Sequence, residues 1–278
     1  MTFGEKLKEA RKNAGLSQED LAAQLSVSRS AVAKWETDKG IPDVENLKAM
    51  AKLLDVSIDY LLEEGGPRLD VPQFESAADT LKGLMAQALE QTEPEALRGV
   101  EGAGAKAYFD VFDGMLLRNR ETFSFRTRNR RPPLDPVNAL LSFAYVLLSL
   151  DCASALEAAG LDAYVGFLHR DRPGRRSLAL DLMEELRPCM ADRFVLTLVN
   201  NGVVDAASFE TSASGAVSLT EAGRKRFLKA WQEKKQETLT HPFLQEKLPW
   251  GMIPFVQALL LARCLRGDLD AYPPFLWK

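Results

Sequence analysis

The segment from residue 17 to residue 56 constrains the fold more than any other part of the chain. Ser17 precedes a helical pattern, and Asp20 stands three positions later, where a capping box places an acid. Apolar residues at helical spacing follow in two groups separated by a short S-V-S turn: Leu21, Ala22 and Leu25, then Val32 and Trp35. Two short helices joined by a tight elbow are therefore predicted.

The second of these helices carries an outward edge near its beginning, formed by Arg29, Ser30 and Lys34. In helix-turn-helix proteins this part of the second helix enters the major groove. An arginine can donate two hydrogen bonds to guanine, so Arg29 is the strongest candidate for base contact. A surface arginine or lysine is more often only a solvated charge, and the residues alone leave that alternative open.

The segment from residue 17 to residue 56, which includes Gln18 and the stretch from Ile41 to Val56, resembles the repressor-type (Xre/Cro) helix-turn-helix family. The resemblance implies a five-helix domain in which Gln18 touches a DNA phosphate while Arg29, Ser30 and Lys34 reach base edges. Residues 1–64 carry nine Lys and Arg against twelve Asp and Glu, a net charge of −3. We therefore expect a single copy to bind DNA weakly and in a salt-sensitive way, and dimerisation or a second DNA-binding surface to be needed.

The helical periodicity is lost after this segment. Residues 63–72, EEGGPRLDVP, contain two Gly and two Pro, which are typical of a loop. We predict a helix-turn-helix domain over residues 1–64, a linker over residues 65–74 and a second domain over residues 75–278.

Composition narrows the class of protein. The whole chain has 46% hydrophobic and 27% charged residues and a net charge of −4, so a polyanion must be met by local basic patches. The three cysteines are far apart and favour neither a disulfide framework nor a zinc-thiolate site, and a reducing cytoplasm is expected. The longest apolar run, residues 140–150, is too short to span a bilayer and predicts a buried helix, so no membrane partner is expected.

The second domain is predicted to be a helical lobe with one small β-hairpin, which makes the fold mainly α. Helical patterns cover residues 94–117, 135–158, 177–199 and 220–238. Near residues 203–219, a Ser/Gly cluster separates two short alternating runs, which is the pattern of a hairpin.

One histidine of this domain has acidic neighbours. His169 precedes a polar loop and then a helix on which Asp181 and Glu184 share one face. Two adjacent carboxylates repel each other unless a cation lies between them. A single histidine in an apolar sequence is nevertheless more often a hydrogen-bonded core residue than a ligand.

A further acid, Glu101, lies at the margin of the apolar stripe of the helix predicted over residues 94–117, and we expect it to be partly desolvated. Residues 102–105 are alternating Gly and Ala, and the two glycines lower helix propensity, a cost explained if a ligand or another backbone comes close. The alternative is a small-residue packing face from which Glu101 reaches water.

Six arginines fall between residues 118 and 131 against one acid, with Phe123 and Phe125 interleaved. Such a stretch can follow phosphates while its aromatic rings pack or stack, although an isolated charge run is more often a solvated loop. Its place before a buried helix favours phosphate contact. The candidate phosphate-binding residues are Arg126, Arg128, Arg130, Arg131 and, at lower priority, Arg187.

Four ordered motifs resemble the CRISPR-associated adaptation endonuclease and integrase family, Cas1, over about residues 75–278. They are R-G-V-E-G at 98–102, R-P-P-L-D-P-V-N-A-L-L-S-F at 131–143, G-F-L-H at 166–169 and S-L-A-L-D-L-M-E-E-L-R-P at 177–188. The resemblance implies that Glu101, His169 and Glu184 are catalytic and bind a divalent metal, with Asp181 at an accessory acidic position. Two carboxylates and one imidazole suit Mg²⁺ or Mn²⁺ better than a closed zinc site.

The same resemblance implies double-stranded or branched DNA as substrate, a homodimer, and the small adaptation protein Cas2 as partner. Family members ordinarily begin with a β-rich domain through which two subunits pair, and here a helix-turn-helix stands in that place. Two alternatives to a DNA endonuclease or integrase therefore stay open. In the first alternative, the chain is a non-catalytic DNA-binding regulator that uses the lobe for dimerisation or scaffolding. In the second, the first domain only replaces the β-rich domain and reads no DNA sequence.

Overall fold

The computed structural model describes residues 2–40, 42, 44–62, 71–117, 119–170 and 172–276. The chain divides into two compact units, Met1–Arg68 and Leu69–Lys278, and each has its own hydrophobic core. The expected linker, residues 65–74, lies partly outside the described residues, and its described part is helical. The domain boundaries at residues 64 and 75 stay predictions.

The N-terminal unit is built from short helices. Its described elements are α1 (Phe3–Asn13), α2 (Gln18–Gln24), α3 (Arg29–Trp35), α4 (Val44–Leu53) and α5 (Ile58–Leu62). The predicted capping box is present, because Ser17 and Asp20 each accept the other's backbone N–H. Val32 and Trp35 of α3 are buried with Leu21 of α2. The five-helix prediction is confirmed.

The C-terminal unit is mainly helical, as predicted. Its described helices are α6 (Val71–Glu90), α7 (Pro94–Asp110), α8 (Pro136–Ala158), α9 (Ser177–Leu186), α10 (Arg193–Asn200), α11 (Glu221–Gln236) and α12 (Ile253–Leu265). The predicted hairpin pairs β1 (Phe209–Thr211) with β2 (Val217–Leu219) in antiparallel register. A second hairpin, which was not predicted, pairs β3 (Thr238–Thr240) with β4 (Lys247–Pro249).

Helix α8 lies at the centre of this unit's core. The carboxylate of Asp135 caps it by accepting the N–H of Asn138 at 2.8 Å, and Pro136 occupies its first turn. Leu140, Leu148 and other apolar side chains of α8 are fully buried, and the helix packs against α9 and α12. The apolar run at 140–150 is therefore part of a longer buried helix. Among the described helices, α8 alone is long and apolar enough to cross a membrane by length and composition, and its role in the core accounts for that character.

Two predicted helices are shorter than expected. Helix α7 ends at Asp110, and a 3-10 turn, Phe112–Met115, follows it. The helix predicted over residues 177–199 is divided by a π-helical segment, Arg187–Asp192. Pro188 explains the interruption, because proline has no N–H to donate and its ring crowds the preceding turn.

Candidate functional site

A single carboxylate of α9 organises the loop that carries His169. Oδ1 of Asp181 lies 2.6 Å from Nδ1 of His169 and accepts the backbone N–H of His169 at 2.9 Å. Oδ2 accepts the backbone N–H of Phe167 at 2.6 Å and of Leu168 at 3.1 Å. The close approach requires Gly166, because a Cβ there would lie 2.7 Å from Cβ of Ser177 and 3.0 Å from Oδ2 of Asp181. The loop 166–169 is folded around Asp181.

This arrangement determines which nitrogen of His169 is available. A carboxylate at Nδ1 keeps the proton of the neutral ring on that atom, so Nε2 presents a lone pair. Nε2 lies 3.8 Å from Oε1 of Glu184, one turn after Asp181 on α9. The accessory acid expected at Asp181 is therefore an orienting group for His169, and His169 and Glu184 face each other.

The surroundings of Glu184 favour a nearby cation. Burial raises the pKa of Glu184, and the negative charges of Glu101 and Asp181 raise it further. The positive charge of Arg187 opposes these effects on the pKa, and Nη2 of Arg187 donates a hydrogen bond to Oε1 of Glu184. A carboxyl group in such a position is stabilised as a carboxylate when positive charge is added beside it.

Glu101 reaches the same place from another helix. It lines a cavity of about 330 Å³ together with His169 and Leu168. The expected desolvation of Glu101 is wrong, because its side chain is exposed and α7 has no buried residue. Helix α7 packs chiefly against α6, and a Cβ at Gly102 would meet nothing within 4 Å. Gly102 therefore borders open space, whereas a Cβ at Gly104 would lie 3.7 Å from the side chain of Leu81 on α6, so neither glycine is in close contact with another backbone.

The predicted ligands fit a divalent metal by the chemistry of their donor atoms. Among the residues that the structure describes, no three His, Cys, Asp or Glu side chains are already spaced to hold one ion. His169 and Glu184 are brought together, and Glu101 lines the cavity that His169 also lines. One imidazole and two carboxylates suit Mg²⁺ or Mn²⁺. Completing the set requires the exposed side chain of Glu101 to turn toward the other two.

Arginines border the cavity on a loop that the sequence interpretation treated only as polar. Arg172 and Arg175 line the cavity of His169 and also a second cavity of about 620 Å³. The wall of the second cavity includes Arg130 and Arg131. We call these four residues the arginine groove. The missed signal was the sequence R-P-G-R-R at 172–176, in which a Pro-Gly turn brings arginines of one short loop together.

Other arginines of the predicted phosphate-binding set are engaged inside the protein. Arg128 donates to Oδ1 of Asn138 at 2.6 Å and to Oγ of Ser142 at 3.1 Å, and its guanidinium lies 5.2 Å from the ring centroid of Tyr145. Burial lowers the pKa of Arg128. Arg187 pairs with Glu184, and its guanidinium also lies over the Tyr145 ring, 4.7 Å from the centroid. The structure therefore gives Arg128 a packing role in place of the predicted phosphate contact.

The remaining residues of the arginine run are divided between surface and core. Arg126 is exposed, as are Arg130 and Arg131 of the arginine groove. Phe123 and Phe125 are 0% and 4% exposed, and their rings pack against other phenylalanines of the core. Their rings therefore pack in the core and do not face bases.

A buried acid that sequence reasoning missed lies close to the site. Asp192 accepts the hydroxyl hydrogen of Tyr145 of α8 at 2.6 Å and also bonds Tyr108 of α7. Burial raises the pKa of Asp192 to about 6, against the effect of these hydrogen bonds and of Arg187. Asp192 thus ties α7, which carries Glu101, to α8. The available signal was an acid that directly follows the apolar residues Met190 and Ala191.

The predicted DNA-reading residues of the N-terminal unit are placed differently from one another. Arg29, Ser30 and Lys34 are exposed together on α3. Gln18 donates from Nε2 to Oε2 of Glu36 at 2.7 Å. Burial alone would raise the pKa of Glu36, but the hydrogen bonds from Arg11 and Gln18 hold it below its usual value. One amide hydrogen of Gln18 therefore serves the interior of the domain, where the sequence interpretation expected only a phosphate contact.

The two units define a helix-turn-helix protein with a second, helical lobe that carries a histidine–carboxylate site beside an arginine groove. A family model described as CRISPR associated protein Cas1 matches residues 47–233, and one described as helix-turn-helix matches residues 7–61. The chain belongs to the Cas1 family and has a helix-turn-helix domain at its N-terminal end.

Individual relatives agree with this family. A protein named CRISPR-associated endonuclease Cas1 2 from Rhodospirillum rubrum is 60% identical over 183 residues, which cover 66% of this chain and 53% of the relative. The solved structure of a CAS1 protein from Thermotoga maritima has a TM-score of 0.61 at 29% identity, and the match covers 68% of this chain and 58% of that one. A chain of a partial Cas6-RT-Cas1–Cas2 complex has a TM-score of 0.64 at 25% identity, over 75% of this chain and 61% of that one. The chain spans about half the length of the Rhodospirillum relative.

Proposed function

We propose that the chain is a divalent-metal-dependent DNA endonuclease or integrase of the kind that acquires CRISPR spacers, and that its helix-turn-helix brings the lobe to particular DNA sequences. The observation that carries the proposal is the pairing of His169 Nε2 with Glu184 at 3.8 Å, together with a cavity that both His169 and Glu101 line. The endonuclease name of the Rhodospirillum relative supports the same activity.

Each group of the site has a distinct task in this proposal. Glu101, His169 and Glu184 would hold Mg²⁺ or Mn²⁺, which when bound polarises a phosphodiester and lowers the pKa of an attacking hydroxyl. Asp181 orients His169 and holds its proton at Nδ1. The arginine groove binds DNA phosphates on the side of His169 that Arg172 and Arg175 occupy. Attack by water gives hydrolysis, and attack by a DNA 3′-hydroxyl gives strand joining.

The proposal includes partners. A homodimer supplies two α3 edges and two arginine grooves to one DNA, which offsets the net charge of −3 on residues 1–64. Cas2 is the proposed protein partner, because a solved chain with the same fold is part of a complex with Cas2. A cytoplasmic location stays part of the proposal.

The experiment that tests the activity uses the full chain with labelled branched and linear duplex DNA in Mg²⁺ or Mn²⁺. We expect cutting or joining of strands by the wild type, loss of turnover on chelation, and a rate reduced by at least about a hundredfold in Glu101→Gln, His169→Ala and Glu184→Gln. Glu157→Gln, which changes an exposed acid of α8, is the matched control and should turn over DNA normally.

The second candidate function is sequence-specific DNA binding without turnover, which the joint exposure of Arg29, Ser30 and Lys34 on α3 favours. It predicts footprints that depend on Arg29 and survive chelation, while neither wild type nor variants change the DNA. That result would overturn the enzyme proposal. Equal turnover by the wild type and by all three site variants would also overturn it.

A further inference from the structure

The loop before His169 exposes large apolar side chains beside the proposed site. Tyr164 is 43% exposed, Val165 58% and Phe167 63%. Single exposed apolar residues are common on protein surfaces, but three within four positions form a patch that calls for a partner. The patch lies two to five residues before His169 in the sequence, so a partner bound to it lies near His169.

Hydrogen bonds hold the backbone of this loop in place. The backbone N–H of Phe167 is bound by Oδ2 of Asp181 at 2.6 Å, and the other oxygen of the same carboxylate binds His169. At the start of the loop, the N–H of Tyr164 donates to Oδ1 of Asp162 at 2.9 Å. One carboxylate thus positions both the Phe167 backbone and the His169 ring. A ligand that contacts Phe167 is therefore held at a defined position relative to His169.

The charges around the patch indicate what kind of ligand it takes. Arg172 and Arg175 line the cavity of His169, and the guanidinium of Arg176 lies 6.0 Å from the ring centroid of Tyr164. Cations beside an exposed aromatic ring match a nucleotide, whose phosphate is negative and whose base has a flat face that stacks on aromatic rings. In an intact duplex that face is covered by neighbouring base pairs. The patch therefore fits a base that is unpaired.

We propose that Phe167, assisted by Tyr164, stacks on an unpaired nucleobase next to the phosphate that reacts at His169, and that it thereby selects branched DNA over intact duplex. The inference rests on the proposed function and adds to it the feature of the substrate that is recognised. Phe167 acts as a positioning residue, because it contacts a base and not the reacting atoms.

The test compares two DNAs built from the same duplex arms, one fully paired and one with unpaired nucleotides at a branch. Any contribution of the helix-turn-helix is common to both. Affinities of the full chain are measured with chelator present, so that no strand is cut. The variants are Phe167→Ala, Phe167→Trp and Tyr164→Ala, and the matched control is Phe243→Ala, which removes a phenylalanine that is 50% exposed elsewhere on the unit.

We expect the wild type to bind branched DNA more tightly than duplex. Phe167→Ala should lose at least about tenfold in affinity for branched DNA and about twofold or less for duplex, because one base–aromatic contact is lost. Phe167→Trp should retain the preference, since a larger ring still stacks. 2-Aminopurine at the unpaired position should be quenched by the wild type and by Phe167→Trp but not by Phe167→Ala. Phe243→Ala should resemble the wild type.

Three results would overturn the inference: no preference for branched DNA in the wild type, equal loss on both DNAs in Phe167→Ala, or equal effects of Phe167→Ala and Phe243→Ala. Thermal unfolding of each variant verifies that it is folded. Tyr164→Ala removes the other aromatic ring of the patch and so tests the same surface with a second variant. Failure of the proposed function is a separate result, because it is detected as absent turnover in metal while binding preferences stay measurable in chelator.

Discussion

Nδ1 of His169 lies 2.6 Å from Oδ1 of Asp181, while Nε2 of the same ring faces Glu184 at 3.8 Å. The first contact sets the tautomer and the orientation of the ring, and the second places its lone pair beside a carboxylate. Asp181 also binds three consecutive backbone N–H groups of the loop. The site is therefore built around an acid that need not touch a metal or a substrate.

Asp181→Asn tests this orienting role. An amide has no negative charge and can donate to Nδ1, which moves the histidine proton to Nε2, where it blocks a ligand. We expect affinity for Mn²⁺, measured by electron paramagnetic resonance of the free ion, to fall about 10- to 100-fold. Asp110→Asn removes an exposed acid that pairs with Lys106 and should leave the affinity unchanged. An Asp181→Asn protein that bound Mn²⁺ as tightly as the wild type would contradict the assignment.

Arg130 and Arg128 are two residues apart but have different surroundings, so their alanine variants should behave differently. Arg130 lines the arginine groove, and we expect Arg130→Ala to weaken binding to all DNA sequences and to reduce the slope of log affinity against log salt by about 1. Arg128 is bonded to Asn138 and Ser142, so Arg128→Ala should lower the melting temperature and leave that slope nearly unchanged. Titrations of DNA at several salt concentrations measure the slope for each variant. Equal slopes for Arg130→Ala and Arg128→Ala would refute the assignment of phosphate contact to Arg130 and of packing to Arg128.

Much of the fold was predictable because it depends on local signals. The capping pair Ser17 and Asp20 and the cap at Asp135 place helix starts correctly, since capping depends on residues within one turn. The second hairpin has no Gly or Asn turn signal. Its turn is closed by His241, whose Nδ1 accepts the N–H groups of Phe243 and Leu244 at 3.2 Å. A buried side chain that substitutes for a turn residue is not visible in a propensity pattern.

The candidate site was predictable in its residues but not in its environment. His169, Asp181 and Glu184 were singled out by their residue types and by helical spacing, and the structure places them together. The exposure of Glu101 depends on what packs against α7, and the burial of Arg128 depends on Asn138 and Tyr145. Both are tertiary properties. One arginine run in the sequence therefore includes both groove residues and packed residues.

Arg29→Ala tests the reading edge of the helix-turn-helix. Arg29 is exposed at the start of α3, and its loss should cost about 1–3 kcal/mol of binding to a preferred sequence with little effect on other sequences. Lys12→Ala, an exposed residue at the end of α1, is the matched control for charge. Selection of preferred sequences from a random DNA pool, followed by titration, measures the difference. Equal losses on selected and random DNA would assign Arg29 to phosphate contact.

Asp192 should make the stability of the C-terminal unit depend on pH. Its folded pKa is about 6, above the ordinary value of 3.8, so the native protein holds this proton more tightly than the unfolded chain does. The stabilisation is fully present below about pH 4 and is lost as the pH rises through about 6, an effect of up to about 3 kcal/mol. The charged form persists at neutral pH because Tyr145, Tyr108 and Arg187 stabilise it.

Asp192→Asn cannot ionise, yet its side-chain oxygen can still accept the Tyr145 hydroxyl hydrogen. We expect the variant to exceed the wild type in free energy of unfolding at pH 7 and to match it near pH 4. Urea unfolding at both pH values, followed by tryptophan fluorescence to which the buried Trp231 and Trp250 of the same unit contribute, measures the difference. A gap between the two proteins that is the same at both pH values would mean that Asp192 does not titrate in this range, and that its tie between α7 and α8 is independent of its charge.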